Sequence, residues 1–182
     1  KLCGTGGHHL LFDFARHNPL GSLEVAFRNS LGPFPESSLG ARGLVRFSQA
    51  LHDEITQRLG YEFKDKVLLR HGLTHSSTNH SRDDYQRLEF LGDRVLALVI
   101  AEELFRLNPA HREGHMANLH SNLVRGEICG EVGKELGLGE FIIVGPSERK
   151  KGVNLITSVV GDVVEALIGG IYLDGGLDEA RA

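Results

Sequence analysis

At 182 residues the chain is long enough for one domain with a sizeable core and an appendage. Its 41 % hydrophobic and 24 % charged content is ordinary for a globular protein, no apolar run approaches bilayer-spanning length, and no signal peptide is evident. A net charge of −4 argues against a general polyanion binder, and the two cysteines, Cys3 and Cys129, form no metal or redox motif, which points to a reducing, cytoplasmic setting.

Residues 1–46 differ from the rest. Gly4-Thr-Gly-Gly-His-His9 and Gly32-Pro-Phe-Pro-Glu-Ser-Ser-Leu-Gly40 are rich in turn formers, and no helical or strand period is sustained. This segment reads as a loosely structured or tag-like extension, with His8 and His9 solvated. From Phe47 onward there are 15 Lys and Arg against 21 Asp and Glu, a net −6, so any contact with nucleic acid must run through local basic patches and bound metal.

The helical pattern begins with Ser48 as an N-cap, continues through Leu51, Ile55 and Leu59, and closes at Gly60. Phe63, Val67, Leu68 and His71 predict a shorter helix starting near Lys64-Asp65. A polar loop, 73–84, follows. Its His75, His80, Asp83 and Asp84, with His71, invite a metal-site reading, but no tight ligand spacing is present. His75 reads better as locally hydrogen-bonded within a solvated connection.

A long helix is expected from about Asp83 to Leu107, stopped by Asn108-Pro109, with Leu88, Leu91, Val95 and Leu98 as core. One further helix is expected from Glu113, carrying Met116, Leu119, Leu123, Ile128, Val132 and Leu136 and ending at Gly137 or Gly139. Phe141–Val144 reads as a buried turn or extended stub, and 145–152 as a loop with a basic tip. A strongly apolar helix spans about Leu155 to Tyr172, ended by Asp174-Gly-Gly176, and 177–182 begins another. With no strand pairs and no repeat, the fold class is all-α.

The acids carry the chemistry. Glu89 and Asp93 stand four residues apart on the long helix, stacked one turn apart on one face. Asp162 and Glu165, at i,i+3 on the late helix, likewise share a face, amid Val159, Val160, Val163, Val164, Ala166, Leu167 and Ile168. Acids on such apolar helices are costly to bury without a positive partner. Two such helices facing one another supply four carboxylates to one cavity, an oxygen-rich set suited to Mg²⁺ or Mn²⁺. Zinc prefers His and Cys, which are absent at these positions. The competing reading makes each pair a surface face or a salt bridge, with Arg87 and Arg94 neutralising Glu89 and Asp93. Spacing leaves both readings open.

Gln86-Arg-Leu-Glu-Phe-Leu-Gly-Asp-Arg-Val-Leu96 resembles the signature of the ribonuclease III family. Leu73-Thr-His-Ser-Ser77, Glu113-Gly-His-Met116, Leu123-Val-Arg125 and Asp162-Val-Val-Glu-Ala-Leu-Ile-Gly-Gly-Ile-Tyr-Leu-Asp174 resemble further family stretches, in order, from Phe47 to the C-terminus. The resemblance implies an all-α, dimerising endonuclease domain over 47–182 that cuts double-stranded RNA, leaving 5′-phosphate and 3′-hydroxyl ends. It implies Mg²⁺, with Mn²⁺ as substitute, held by Glu89, Asp93, Asp162 and Glu165, with Glu113 in a lesser role. It also implies RNA contact from Arg149, Lys150, Lys151 and Gln86, and a homodimer anchored by Phe90.

Three departures stand out. Gln86 replaces a Glu found in many members. Leu155 and Ile156 occupy positions where some members are basic. Bacterial members usually continue into a double-stranded-RNA-binding domain, whereas this sequence stops inside a helix. Two alternatives to the endonuclease are a non-catalytic scaffold on the same fold and a phosphohydrolase using His71, His75 and Asp83. Retention of all four acids favours the enzyme.

Overall fold

The computed structural model describes residues 49–78 and 83–182, which up to Arg181 lie in one unit, Val45–Arg181. The expected Ser48 cap, the boundary at 46/47, His8, His9 and His80 fall outside the described residues. Among those described there are helices and short helical turns, with no paired strands beyond one isolated bridge. No described helix is long and apolar enough to cross a membrane.

Helix α1 (Gln49–Leu59) buries Leu51, His52 and Ile55 and ends at Gly60, whose positive φ of 70° lets its N–H reach Thr56 O at 2.9 Å. Helix α2 (Lys66–Leu73) starts where expected, because the Asp65 side chain caps it by accepting from Val67 N–H at 2.8 Å. The long helix α3 spans Gln86–Leu107. Its inner face is Leu88, Gly92, Val95, Leu96, Val99, Ile100 and Leu104. Leu98, expected in the core, instead stands 54 % exposed, in line with Phe90 (68 %) and Phe105 (73 %) on the outer face.

The single helix expected from Glu113 to Leu136 is two: α4 (Glu113–Leu123) and α5 (Gly126–Glu135). The break falls at Arg125, whose backbone is extended (φ −70°, ψ 137°). It re-aims the chain so that the glycine face of α5 can press onto α7 (Thr157–Gly175). There a Cβ on Gly133 would lie 2.5 Å from Val160 Cγ1, and one on Gly161 would lie 2.5 Å from Gly126 O. Real Cβ atoms do not come so close, so glycine at these positions sets the helix separation.

The stretch Phe141–Val144 is the expected buried stub. Ile143 exchanges backbone hydrogen bonds with the α2 exit: its N–H donates to Leu73 O, and its carbonyl accepts from His75 N–H, both at 2.8 Å. The expected loop over 145–152 instead contains a short helix, α6 (Pro146–Lys150), begun by proline at its first turn. The last helix, α8 (Leu177–Arg181), follows α7 directly.

Helix α7 is central, as its all-round apolar character predicts. It packs chiefly on α3 and α5, and its Val160, Val163 and Ala166 join Ile55, Leu69, Leu73, Leu138, Phe141 and Ile142 in full burial. At its far end the Asp174 carboxylate accepts from Tyr61 O–H (2.6 Å), Lys64 N–H (2.8 Å) and Asp65 N–H (2.9 Å), tying α7 to the start of α2.

Candidate active site

The site lies where α3 crosses α7. Gly92 follows Glu89 by three residues, and a Cβ there would stand 2.6 Å from the Glu165 carbonyl carbon and 2.9 Å from Gly169 N. Across the crossing, a Cβ on Gly169 would lie 3.0 Å from Gly92 N. The two helices therefore meet backbone to backbone, at a separation only glycine permits. Glu89 and Glu165 both project from this crossing, and Asp162 sits one turn before Glu165 on α7.

The charges feel one another. Burial raises the Glu89 carboxyl above its ordinary range, and the Asp162 and Asp84 charges push it further. Burial likewise raises Glu165, aided by Glu89 and Asp162 and opposed by the Cys129 thiol and Arg94. Asp162 is raised by burial, and the Tyr85 hydroxyl and His75 pull it back. Glu89, Asp162 and Glu165 thus form one acidic group whose carboxyls all stay raised despite His75 and Arg94. Asp93, one turn beyond Glu89, is paired with the neighbouring Arg94. Half of the salt-bridge reading is therefore correct for Asp93, while Arg87 is exposed and makes no ion pair with Glu89.

Among the described residues no group of three or more His, Cys, Asp or Glu side chains is arranged as a ready-made metal cage. That applies to the four acids and to His71, His75 and Asp83 alike. The donor chemistry still separates them. Three half-buried carboxylates, each raised by burial and two of them further by neighbouring acids, are what a hard divalent ion relieves, and Mg²⁺ takes only one or two carboxylates while keeping several waters. His75 is already committed: its Nδ1 accepts from Ser77 N–H at 3.0 Å and lies 2.8 Å from Ser77 Oγ, the local bonding expected of it. His71 Nε2 stands 3.7 Å from Asp83.

The other expected residues are found in different states. Glu113, first residue of α4, is exposed, and its side chain makes no hydrogen bond or ion pair with a described residue. Gln86 is exposed at the start of α3, its backbone N–H on Asp84 Oδ1 at 3.2 Å. Lys150 and Lys151 are exposed, whereas the Arg149 guanidinium donates to Ile142 O at 2.5 Å and so helps hold its own segment. Phe90 projects outward, with the Arg94 guanidinium 5.4 Å from its ring centre.

Two neighbours of the acids escaped the sequence reading. Tyr85, 4 % exposed, donates its hydroxyl to Asp162 Oδ2 at 3.2 Å and stacks edge-on to His75, with ring centres 5.6 Å apart. The buried Cys129 thiol, raised to about 12 by burial and then by Glu165, faces that carboxylate. A tyrosine entering a helix and a cysteine inside one carry no local signal of such partners.

A family model described as Ribonuclease-III-like matches residues 65–182. The chain is 44 % identical over 129 residues to a Ribonuclease 3 from Vibrio vulnificus, covering 71 % of this chain and 56 % of that one. It is 45 % identical over 130 residues to a Ribonuclease 3 from Vibrio cholerae, covering 71 % and 57 %. The chain thus spans little more than half the length of these curated relatives. A crystal structure of the nuclease domain of ribonuclease III from Campylobacter jejuni superposes with a TM-score of 0.67 at 40 % identity, covering 71 % of this chain and 87 % of that one. A second structure of that domain, described as showing flexibility in a region involved in dimer formation, gives 0.68. With the acidic crossing of α3 and α7 and these likenesses in agreement, the chain belongs to the ribonuclease III family.

Proposed function

We propose that this chain is an endoribonuclease that cleaves double-stranded RNA, leaving 5′-phosphate and 3′-hydroxyl ends, with 47–182 as its catalytic domain and structured RNA precursors in the cytoplasm, ribosomal and messenger, as substrates. One observation carries the reading: Glu89, Asp162 and Glu165, from two helices locked at a glycine crossing, are all raised by burial, Glu89 and Glu165 further by neighbouring acids, despite His75 and Arg94. A protein that used this fold only as a scaffold would gain stability by neutralising such a cluster.

A divalent ion, Mg²⁺ or Mn²⁺, held by Glu89, Asp93, Asp162 and Glu165 with Glu113 nearby, would acidify a water for in-line attack on the phosphodiester and steady the leaving oxygen. The chain's own groups prepare that place. Glu89 and Glu165 are fixed by the crossing, Tyr85 O–H orients Asp162, and Arg94 stands between Asp93 and the outer face. Duplex RNA is contacted through phosphates and 2′-hydroxyls, with Lys150, Lys151, Arg149 and Gln86 as the contributing side chains.

Phe90, Leu98 and Phe105, exposed along one face of α3, are the surface through which two copies pair. The test is incubation of a long RNA duplex with the 182-residue chain and Mg²⁺, followed by end analysis. The proposal expects 5′-phosphate products and no cleavage in chelator. An intact duplex with a normal dimer would favour the scaffold.

A further inference from the structure

The start of α5 and the first turn of α7 enclose an open cavity of about 590 Å³ lined by Arg125, Gly126, Glu127, Ser158 and Asp162. Only Asp162 belongs to the acid cluster described above. Arg125 is exposed, and its guanidinium makes no hydrogen bond or ion pair with any described residue. Two other arginines are committed: Arg94 to Asp93, and Arg149 to Ile142 O.

Arg125 is anchored at its root and free at its head. Its carbonyl accepts from Ile128 N–H (2.9 Å) and Cys129 N–H (3.2 Å). The next residue, Gly126, is pressed so closely on α7 that a Cβ on Gly161 would lie 2.5 Å from its carbonyl oxygen. On its own other side, a Cβ on Gly126 would meet nothing within 4 Å, so bare backbone keeps this wall of the cavity clear. Ser158, in the first turn of α7, is exposed one helical turn before Asp162.

An RNA phosphate approaching mutually repelling carboxylates meets an unfavourable field. A guanidinium on the same wall offsets it locally and presents a planar fork that fits two phosphate oxygens. Glu127 adds negative charge, so an anion is held here only through Arg125 and Ser158. Resting on the endoribonuclease reading, we infer that Arg125, assisted by the Ser158 hydroxyl, forms a subsite for one backbone phosphodiester of the RNA duplex beside Asp162. It is a substrate-binding residue distinct from the basic segment 149–151.

The test measures duplex binding by the 182-residue chain without divalent metal at several KCl concentrations, and cleavage kinetics with Mg²⁺. Removing one phosphate contact lowers the magnitude of the slope of log K against log salt by about one. Arg125→Gln is expected to show that loss and a KM raised about tenfold with kcat within about twofold, while Arg125→Lys keeps the slope. Arg70→Gln, which removes an exposed arginine off the cavity, serves as the charge control. An Arg125→Gln slope and KM equal to the native values, or an equal effect from Arg70→Gln, overturns the subsite. If the native chain neither binds nor cuts the duplex, the endoribonuclease reading fails and the subsite falls with it. Native cleavage left unaltered by Arg125→Gln removes the subsite alone.

Discussion

Gly92 on α3 and Glu165 on α7 touch through their backbones, with a Cβ at Gly92 falling 2.6 Å from the Glu165 carbonyl carbon. Both acidic helices take their spacing from this contact. Gly92→Ala should therefore force the helices apart and destabilise the protein by at least about 2 kcal/mol, read as a lower urea midpoint at unchanged m-value. It should also cost cleavage activity under conditions where the variant remains folded. A native midpoint would show that the crossing relaxes freely.

The Tyr85 hydroxyl steadies Asp162 from outside the acid group. Tyr85→Phe keeps the ring and its contact with His75 but loses that bond. Supporting partners of metal ligands typically contribute about tenfold or more in metal affinity or activity. The expected result is about tenfold more Mg²⁺ for half-maximal cleavage, with thermal stability changed by no more than about 1 kcal/mol. An unchanged Mg²⁺ midpoint would leave Tyr85 a packing residue only.

Asp174 gives a pH-dependent tie between α7 and α2. Burial pushes its carboxyl up, but the Tyr61 hydroxyl and the Lys64 and Asp65 N–H groups outweigh that and hold it below its ordinary value. A carboxyl depressed in the folded state contributes stability above its unfolded pKa of about 4, and that contribution is lost as pH falls through the folded pKa. Asp174→Asn should thus cost about 1 kcal/mol at pH 7, with the gap from the native protein closing in acid. Denaturant titrations at pH 7 and pH 3 check this; a gap that widens on acidification contradicts it.

Phe90, Leu98 and Phe105 form an exposed apolar line on α3. Truncating a buried interface anchor costs about 2 kcal/mol, or roughly 30-fold in the dimer dissociation constant. Phe90→Ala and Phe105→Ala should each shift sedimentation toward monomer. An unaltered profile for both would contradict pairing through this face.

Helices α1, α2, α3 and α7 were legible in the sequence because each buries an apolar face at helical spacing, and Asp65 announces its helix by capping it. The break at Val124-Arg125 was not legible because both residues sit comfortably in helices. The break is imposed by docking of the α5 glycines on α7, a contact between distant segments. Leu98 shows another limit: apolar spacing marks a face to be covered without saying whether core or partner covers it. In the site, the acid pairs were legible from spacing and family resemblance. The bond from Tyr85 to Asp162 spans 77 residues and has no local trace.

The central claim is that Glu165 and Asp93 serve one metal-dependent nuclease centre. Cleavage of a long RNA duplex in Mg²⁺ should be compared for the native chain, Glu165→Ala, Asp93→Ala and His75→Ala, with folding checked by circular dichroism. The account predicts that both acid variants lose at least about a hundredfold in rate, while His75→Ala retains most activity. Full activity in folded Glu165→Ala, or loss of metal binding in His75→Ala alone, would contradict it.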